Sequence, residues 1–213
     1  MKQQGGREKQ KLRTRRALVA AARDLIGQGR LPSVADVAEA ALVSPATAYR
    51  YFPDQLSLLR AAAGDALPPA AEISTPAHDE SVDPEERIAR ATEAFLRLVL
   101  KQEALVRAVM ALSLLQSVEA PGNRRESVAI RPGYRMAWIA EALAPLEGKI
   151  DPAVLHRLTD ALAIVVSSEA LVALEDVRGL DADMAVATCV WAARTLVRAV
   201  VAEHSSRELS HHQ

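Results

Sequence analysis

The stretch from Ser33 to Leu59 reads SVADVAEAALVSPATAYRYFPDQLSLL. Ser33 has the chemistry of a helix N-cap, and Asp36, at the third helical position, completes a variant of the capping box. Val34, Val37, Ala38 and Ala41 recur at helical spacing and predict a buried stripe. Ser44 caps a second short helix to about Tyr51, with Ala48 and Phe52, four residues apart, facing the core. The tight connection Ala41-Leu42-Val43 joins the two. Two short capped helices and a tight turn make a helix-turn-helix, whose second helix can lie in the major groove of DNA. On that helix Thr47, Tyr49, Arg50 and Tyr51 form a polar cluster, while the short Pro45 and Ala46 let its tip approach base edges. Two tyrosines beside an arginine, on a background of Ala and Leu, are costly to leave exposed without a partner. A small helical bundle with a tyrosine-rich surface is the bland alternative.

Working outward, Leu18, Ala21, Ala22, Leu25 and Ile26 mark one face of a preceding helix from Thr14, ended by Gly27 and Gly29. Residues 1–11, with Gly5-Gly6, read as a flexible basic arm. Pro53 suits the first turn of a fourth helix running to about Leu67, with Leu56, Leu59 and Ala63 on one face. Residues 68–82, with Pro68-Pro69 and Pro76, read as a linker. Asp83-Pro84-Glu85-Glu86 then starts a helix strongly: Asp at the cap, Pro first, acids in the first turn. Further helices are expected over 102–117, ended by Pro121-Gly122-Asn123, over 128–146 or only after Pro132-Gly133, over 152–177, and from Asp181 to about Glu203. The domains read as 10–67 and 83–205.

The composition agrees. The chain has 213 residues, half of them hydrophobic and 3% aromatic. So few aromatics, with so much Ala and Leu, argue against an all-β fold and against disorder. The single cysteine, Cys189, forms no intrachain disulfide and points to a reducing compartment. No apolar run reaches the ~20 residues of a membrane span, and no apolar core follows the basic N-terminus as in a secretory signal. The chain is expected to be a soluble, cytoplasmic, all-α protein. Its net charge of −1 hides an asymmetry. Residues 1–60 carry 11 Lys/Arg against 5 Asp/Glu, and the remainder 15 against 22. A basic end on an acidic body suggests an end that faces nucleic acid.

The segment Arg15 to Leu59 resembles the N-terminal domain of the TetR (TetR/AcrR) family of bacterial transcriptional regulators. The likeness lies in AARDLI at 21–26, SVADVA at 33–38 and VSPATAYRYFP at 43–53, followed by Leu58-Leu59. It implies an all-α fold with an N-terminal helix-turn-helix DNA-binding domain and a C-terminal helical domain for ligand binding and dimerisation. The DNA-facing residues it implies, with the caps and the basic arm, are Arg13, Arg15, Ser33, Ser44, Pro45, Ala46, Thr47, Tyr49, Arg50, Tyr51 and Gln55. Tyr49 corresponds to a phosphate-bonding tyrosine, Thr47 to a backbone contact, and Pro45 and Ala46 to base-reading positions. Arg50 and Tyr51 line the groove side or the backbone. The sequence departs from the family twice. Leu42 stands in the turn where Gly is common, so the turn lacks a permissive residue. Gln55 stands where Lys is common, so an amide replaces a charge and salt dependence is slightly reduced.

The helices 152–177 and 181–203 are apolar on every side, which predicts burial on every side and hence a homodimer through these two helices. The resemblance implies the same pairing, and two-fold symmetry then sets two recognition helices one DNA turn apart on a near-palindromic operator. It also implies a small-molecule pocket, for which Phe95, Val99, Met110, Ser113, Leu114, Tyr134, Trp138 and Ile164 are candidates, suited to a small apolar effector. Ordinary core is the alternative for each taken singly. Glu169, an acid in an apolar stretch, is expected to pair with an arginine across the dimer, ahead of the alternative that it answers a ligand cation.

The sequence carries little catalytic chemistry: no Glu-x-x-His, phosphate loop, CxxC or Gly-x-Ser-x-Gly. His78, His156 and His204 stand alone, and His211-His212 sit at the end. No cofactor or metal is implied. The expected protein is a ligand-responsive repressor whose effector shifts the fourth helix and so the spacing of the two recognition helices. A regulator without a small ligand and an all-α enzyme with a basic head are the rivals.

Overall fold

The computed structural model describes residues 2–66, 81–119 and 134–211, and these are helical with short connections. Most of the expected 68–82 linker, the Pro121-Gly122-Asn123 turn, His78 and His212 lie outside the described residues. The described chain forms two compact units, residues 1–67 with 102–131, and 68–101 with 132–213.

In the first unit, α1 (Lys2–Gly27), α2 (Val34–Ala40), α3 (Pro45–Tyr51) and α4 (Gln55–Ala66) are joined by α6 (Glu103–Glu119). The residues 1–11, expected to be a flexible arm, are the first turns of α1 from Lys2 onward. Lys, Glu, Gln and Arg lose little side-chain freedom in a helix, and each added residue only propagates an existing one. Gly29 closes α1 with φ +77 in a Schellman motif: its N–H donates to Ile26 and that of Arg30 to Leu25. The fourth helix begins two residues later than Pro53, because Asp54 supplies the cap: the Ser57 N–H donates to its carboxylate at 2.6 Å. Leu18, Ala22, Val37, Ala38, Ala48, Leu58 and Leu59 are the centre of this core.

The helix expected over 102–117, within the domain 83–205, is α6, and it packs on α1 and α4. Leu105 is buried in the head's core, with Ala108, Val109 and Leu112 against it. Nothing local signals this, because α6 is apolar round most of its circumference and periodicity names no partner for it.

The second unit holds α5 (Pro84–Leu100), α7 (Tyr134–Leu143) with a 3-10 turn to Leu146, α8 (Pro152–Val165), α9 (Ser168–Val172) running into a π turn to Val177, and α10 (Ala182–His211). Asp83 caps α5 and Asp151 caps α8, each followed by Pro, as expected. The helix expected over 152–177 is broken at Val166-Ser167. Ser167 is buried and serves both pieces: its hydroxyl donates to the Ile164 carbonyl at 2.7 Å and accepts from the Ala170 N–H at 3.0 Å. A serine that satisfies two chain ends favours the break over a continuous helix. The final helix runs on to His211, with Asp181 accepting from the Met184 N–H at 2.8 Å.

Within this unit α10 lies along α5 and α8, and α7 packs on both α5 and α8. Ile88, Ile139, Leu143, Leu158, Leu162, Ala193 and Val197 form one buried cluster, and Leu96, Leu171, Val186 and Cys189 another. Arg87 is buried among them and capped by main chain: its guanidinium donates to the carbonyls of Glu141 at 2.7 Å, Ser81 at 3.2 Å and Ala142 at 3.3 Å. The segment Ala182–Ser206 of α10 is long and apolar enough, by length and composition, to cross a bilayer, against the expectation that no run reaches that length. The core helix of a soluble protein meets the same test; here one face, Ala185, Val186, Cys189, Ala193 and Val197, is buried in the unit, which is 28% of the apolar window.

Candidate nucleic-acid interface

The helix-turn-helix is assembled by local hydrogen bonds first. At Ser33 the capping box is complete: the Asp36 N–H donates to Ser33 Oγ at 3.2 Å, and the Ser33 N–H donates to Asp36 Oδ2 at 2.8 Å. The Ser33 hydroxyl also donates to that oxygen, and these bonds hold the Asp36 carboxyl below its ordinary value. At Ser44 the Thr47 N–H donates to Oγ at 3.2 Å, and the two hydroxyls share a bond at 2.9 Å. Pro45 takes the first helical position, where a missing N–H costs nothing.

Leu42 makes the turn between these caps. Its φ is +56, the one positive value among the described non-glycine residues, and 94% of its surface is exposed. The Leu42 N–H donates to Glu39 and that of Val43 to Ala38, so the turn has the Schellman pattern that usually carries glycine at this place. The turn keeps its geometry, and the leucine bears the left-handed conformation.

Packing then fixes which side of α3 looks outward. Ala48 and Phe52 are buried, and Val43 and Tyr51 lean on the same core. Pro45, Ala46, Tyr49 and Arg50 are exposed, Tyr49 by 48%, and Thr47 and Tyr51 are half-buried. The Arg50 guanidinium lies 5.9 Å from the centre of the Tyr51 ring. The expected DNA-facing residues of α3 are therefore brought onto one short helix. Others are directed elsewhere. Gln55 donates its side-chain amide to the Pro32 carbonyl at 2.8 Å. Arg15 lies over the Phe52 ring, 5.8 Å from its centre. Arg13 is exposed on α1, and Ser33 and Ser44 serve as caps.

The expected effector residues are divided between the units. Phe95 and Trp138 meet edge to face with ring centres 6.0 Å apart, Trp138 is buried, and Val99 packs against the second cluster of the same unit. Ile164, in that unit too, is 74% exposed. Met110, Ser113 and Leu114 lie on α6 in the head unit, where the Ser113 hydroxyl donates to the Val109 carbonyl. The side chain of Tyr134 lies outside the described residues. Two surface grooves of the second unit, of about 380 and 540 Å³, are lined by none of the eight. Glu169 pairs with Arg135 on α7, within its own chain, at 3.4 Å. Sequence could not show this, because the two are 34 residues apart. Burial pushes the Cys189 thiol up, away from the reactive thiolate. Among the described residues no group of three or more His, Cys, Asp or Glu is placed to hold a metal.

No family model matches the chain, and no curated protein matches it. Solved structures do. One is from a Rhodococcus sp. protein assigned to the TetR-family transcriptional regulators. It is 21% identical, covers 86% of this chain and 98% of its own, and has a TM-score of 0.57. A HlyIIR mutant protein in which one segment is substituted by a linker is 15% identical over 83% of this chain and 94% of its own, with a TM-score of 0.48. The likeness to the Rhodococcus structure shows the fold: this chain has the all-α, TetR-like architecture.

Proposed function

We propose that the chain is a DNA-binding regulator of transcription, acting in the cytoplasm as a homodimer, and most simply a repressor released by a small apolar effector. The observation that carries this reading is the exposed edge of α3. A seven-residue helix, capped at Ser44 and seated on Ala48 and Phe52, presents Ala46, Tyr49 and Arg50 outward from a basic head. The Rhodococcus structure, whose protein is assigned to the TetR-family transcriptional regulators, supports it through the shared fold.

Dimerisation is supported by what α8 and α10 leave uncovered. Ile164, Met184 and Trp191 are large apolar residues on their outward sides, Trp191 with 68% of its surface exposed. Apolar groups at helical spacing on two adjacent helices suit burial against a second copy. Two-fold symmetry would set two copies of α3 about 34–36 Å apart on a near-palindromic site.

The effector is assigned to the second unit, beside Phe95, Val99 and Trp138. The chain leaves α5 for α6 through Lys101-Gln102, and α6 packs on α1 and α4, so a displacement of α5 has a covalent route to the head. A second reading keeps DNA binding and drops the effector. It is favoured by the way Phe95 and Trp138 fill core rather than line a groove. An enzyme is the weakest alternative: among the described residues no group of three or more His, Cys, Asp or Glu converges.

The test is direct. Purified protein is mixed with fragments of its own genome at low salt, bound fragments are sequenced, and the molecular mass in solution is measured by light scattering. A dimer that enriches near-palindromic fragments, and loses affinity on Tyr49→Ala, supports the reading. A monomer indifferent to every duplex defeats it.

A further inference from the structure

The outward edge of α3 has a composition that goes beyond binding DNA to choosing a sequence. Ala46 and Arg50 stand two residues either side of the buried Ala48, so the helical period sets both on the face opposite the core. They are one turn apart and adjacent on that face. Side chains on a helix lean toward its N-terminus, so the long Arg50 leans toward Ala46, whose methyl group leaves that space open. Among the described residues no hydrogen bond or ion pair engages the Arg50 guanidinium; what holds it is the Tyr51 ring, 5.9 Å away. A cation over an aromatic face is steadied by the ring without giving up any in-plane N–H donor. The group is thus positioned and its donor fork is still unspent.

Resting on the reading of α3 as the recognition helix, we propose that Arg50 reads a guanine in each operator half-site, donating from its two terminal nitrogens to O6 and N7, with Tyr51 as the positioning residue. A planar fork matches that pair of acceptors, and no other base edge in the major groove offers two acceptors side by side. Ala46, without a polar atom, reads only by apolar contact, and its natural counterpart in the groove is a thymine methyl. The short rise between Ala46 and Arg50 sets the two bases within about two base pairs of each other.

The experiment takes the full-length dimer and the consensus selected from random duplexes. Affinities are then measured for every single base-pair change, for wild type, Arg50→Ala, Arg50→Lys, Tyr51→Phe and Tyr51→Ala. Wild type should lose about ten-fold to a hundred-fold on replacing one G·C pair by A·T, and a similar factor on replacing that guanine by 7-deazaguanine, which lacks N7. Arg50→Ala should bind the consensus more weakly by that factor and be indifferent to both changes. Arg50→Lys should keep most affinity and lose most discrimination. Tyr51→Phe, which keeps the ring, should keep the discrimination at that base pair, whereas Tyr51→Ala should lose it there alone. Replacing the nearby thymine by uracil should weaken wild type and leave Ala46→Gly unaffected. If Arg50→Ala keeps the full base preference and loses affinity uniformly, with a shallower salt dependence, Arg50 is a phosphate contact and the inference is overturned while the reading of α3 stands. If no sequence is enriched at all, the reading of α3 fails and this inference with it.

Discussion

The side-chain amide of Gln55 donates to the main-chain carbonyl of Pro32 at 2.8 Å, tying the first turn of α4 to the loop ahead of α2 across 23 residues of sequence. The residue that takes the place of a common phosphate-facing lysine is thus engaged inside the head. Gln55→Ala should therefore destabilise the protein by about 1 kcal/mol in urea unfolding. Its DNA affinity, extrapolated to the folded form, should keep an unchanged salt slope. A slope shallower by about one unit would return Gln55 to the DNA surface.

Leu42 predicts a gain. The left-handed conformation costs a non-glycine residue about 1–2 kcal/mol, and glycine gives back part of this through its more disordered unfolded chain. Because Leu42 is 94% exposed, no packing is lost with it. Leu42→Gly should stabilise the head by roughly 0.5–1 kcal/mol and raise the thermal midpoint. An unchanged or lower midpoint would show that the turn is not strained.

Ser167 predicts a loss in the second unit. Ser167→Ala removes both the bond to the Ile164 carbonyl and the acceptor for the Ala170 N–H. The cost should be about 1–2 kcal/mol by urea unfolding. Ser167→Thr, which keeps the hydroxyl, should recover most of it.

Arg87 is the strongest single dependence in that unit, because its guanidinium meets three carbonyls, two of them in the last turn of α7. Arg87→Ala should cost about 2–3 kcal/mol, measured as a shift of the urea midpoint at unchanged slope. Arg87→Lys should recover only part, since an ammonium lacks the planar fork that spans separated carbonyls.

Asp36 gives the head a defined acid sensitivity. The Ser33 hydroxyl, then the Ser33 N–H, holds its carboxyl below the ordinary value of 3.8. A depressed folded-state value means stability that is fully present above 3.8 and is lost as the pH falls below it through the folded value. The difference in thermal midpoint between wild type and Asp36→Asn should be constant above that pH and narrow below it. A difference that does not change on acidification would remove the ionised cap from the account.

The helix-turn-helix was legible because its signals are local. Ser33 with Asp36, Ser44 with Pro45, Asp83 with Pro84 and Asp151 with Pro152 act within one turn of chain, so the residues and their spacing are the interaction itself. The same holds for the face of α3, since Ala48 and Phe52 must be buried together if either is. Tertiary structure alone decided where α6 packs, where Gln55 and Glu169 spend their polar groups, and that one long helix is two, divided at Ser167. Each of these turns on a partner distant in sequence, or on a competition between two local options that only packing resolves. Apolar periodicity says that a face will be covered, whereas shape and chain closure choose the surface that covers it.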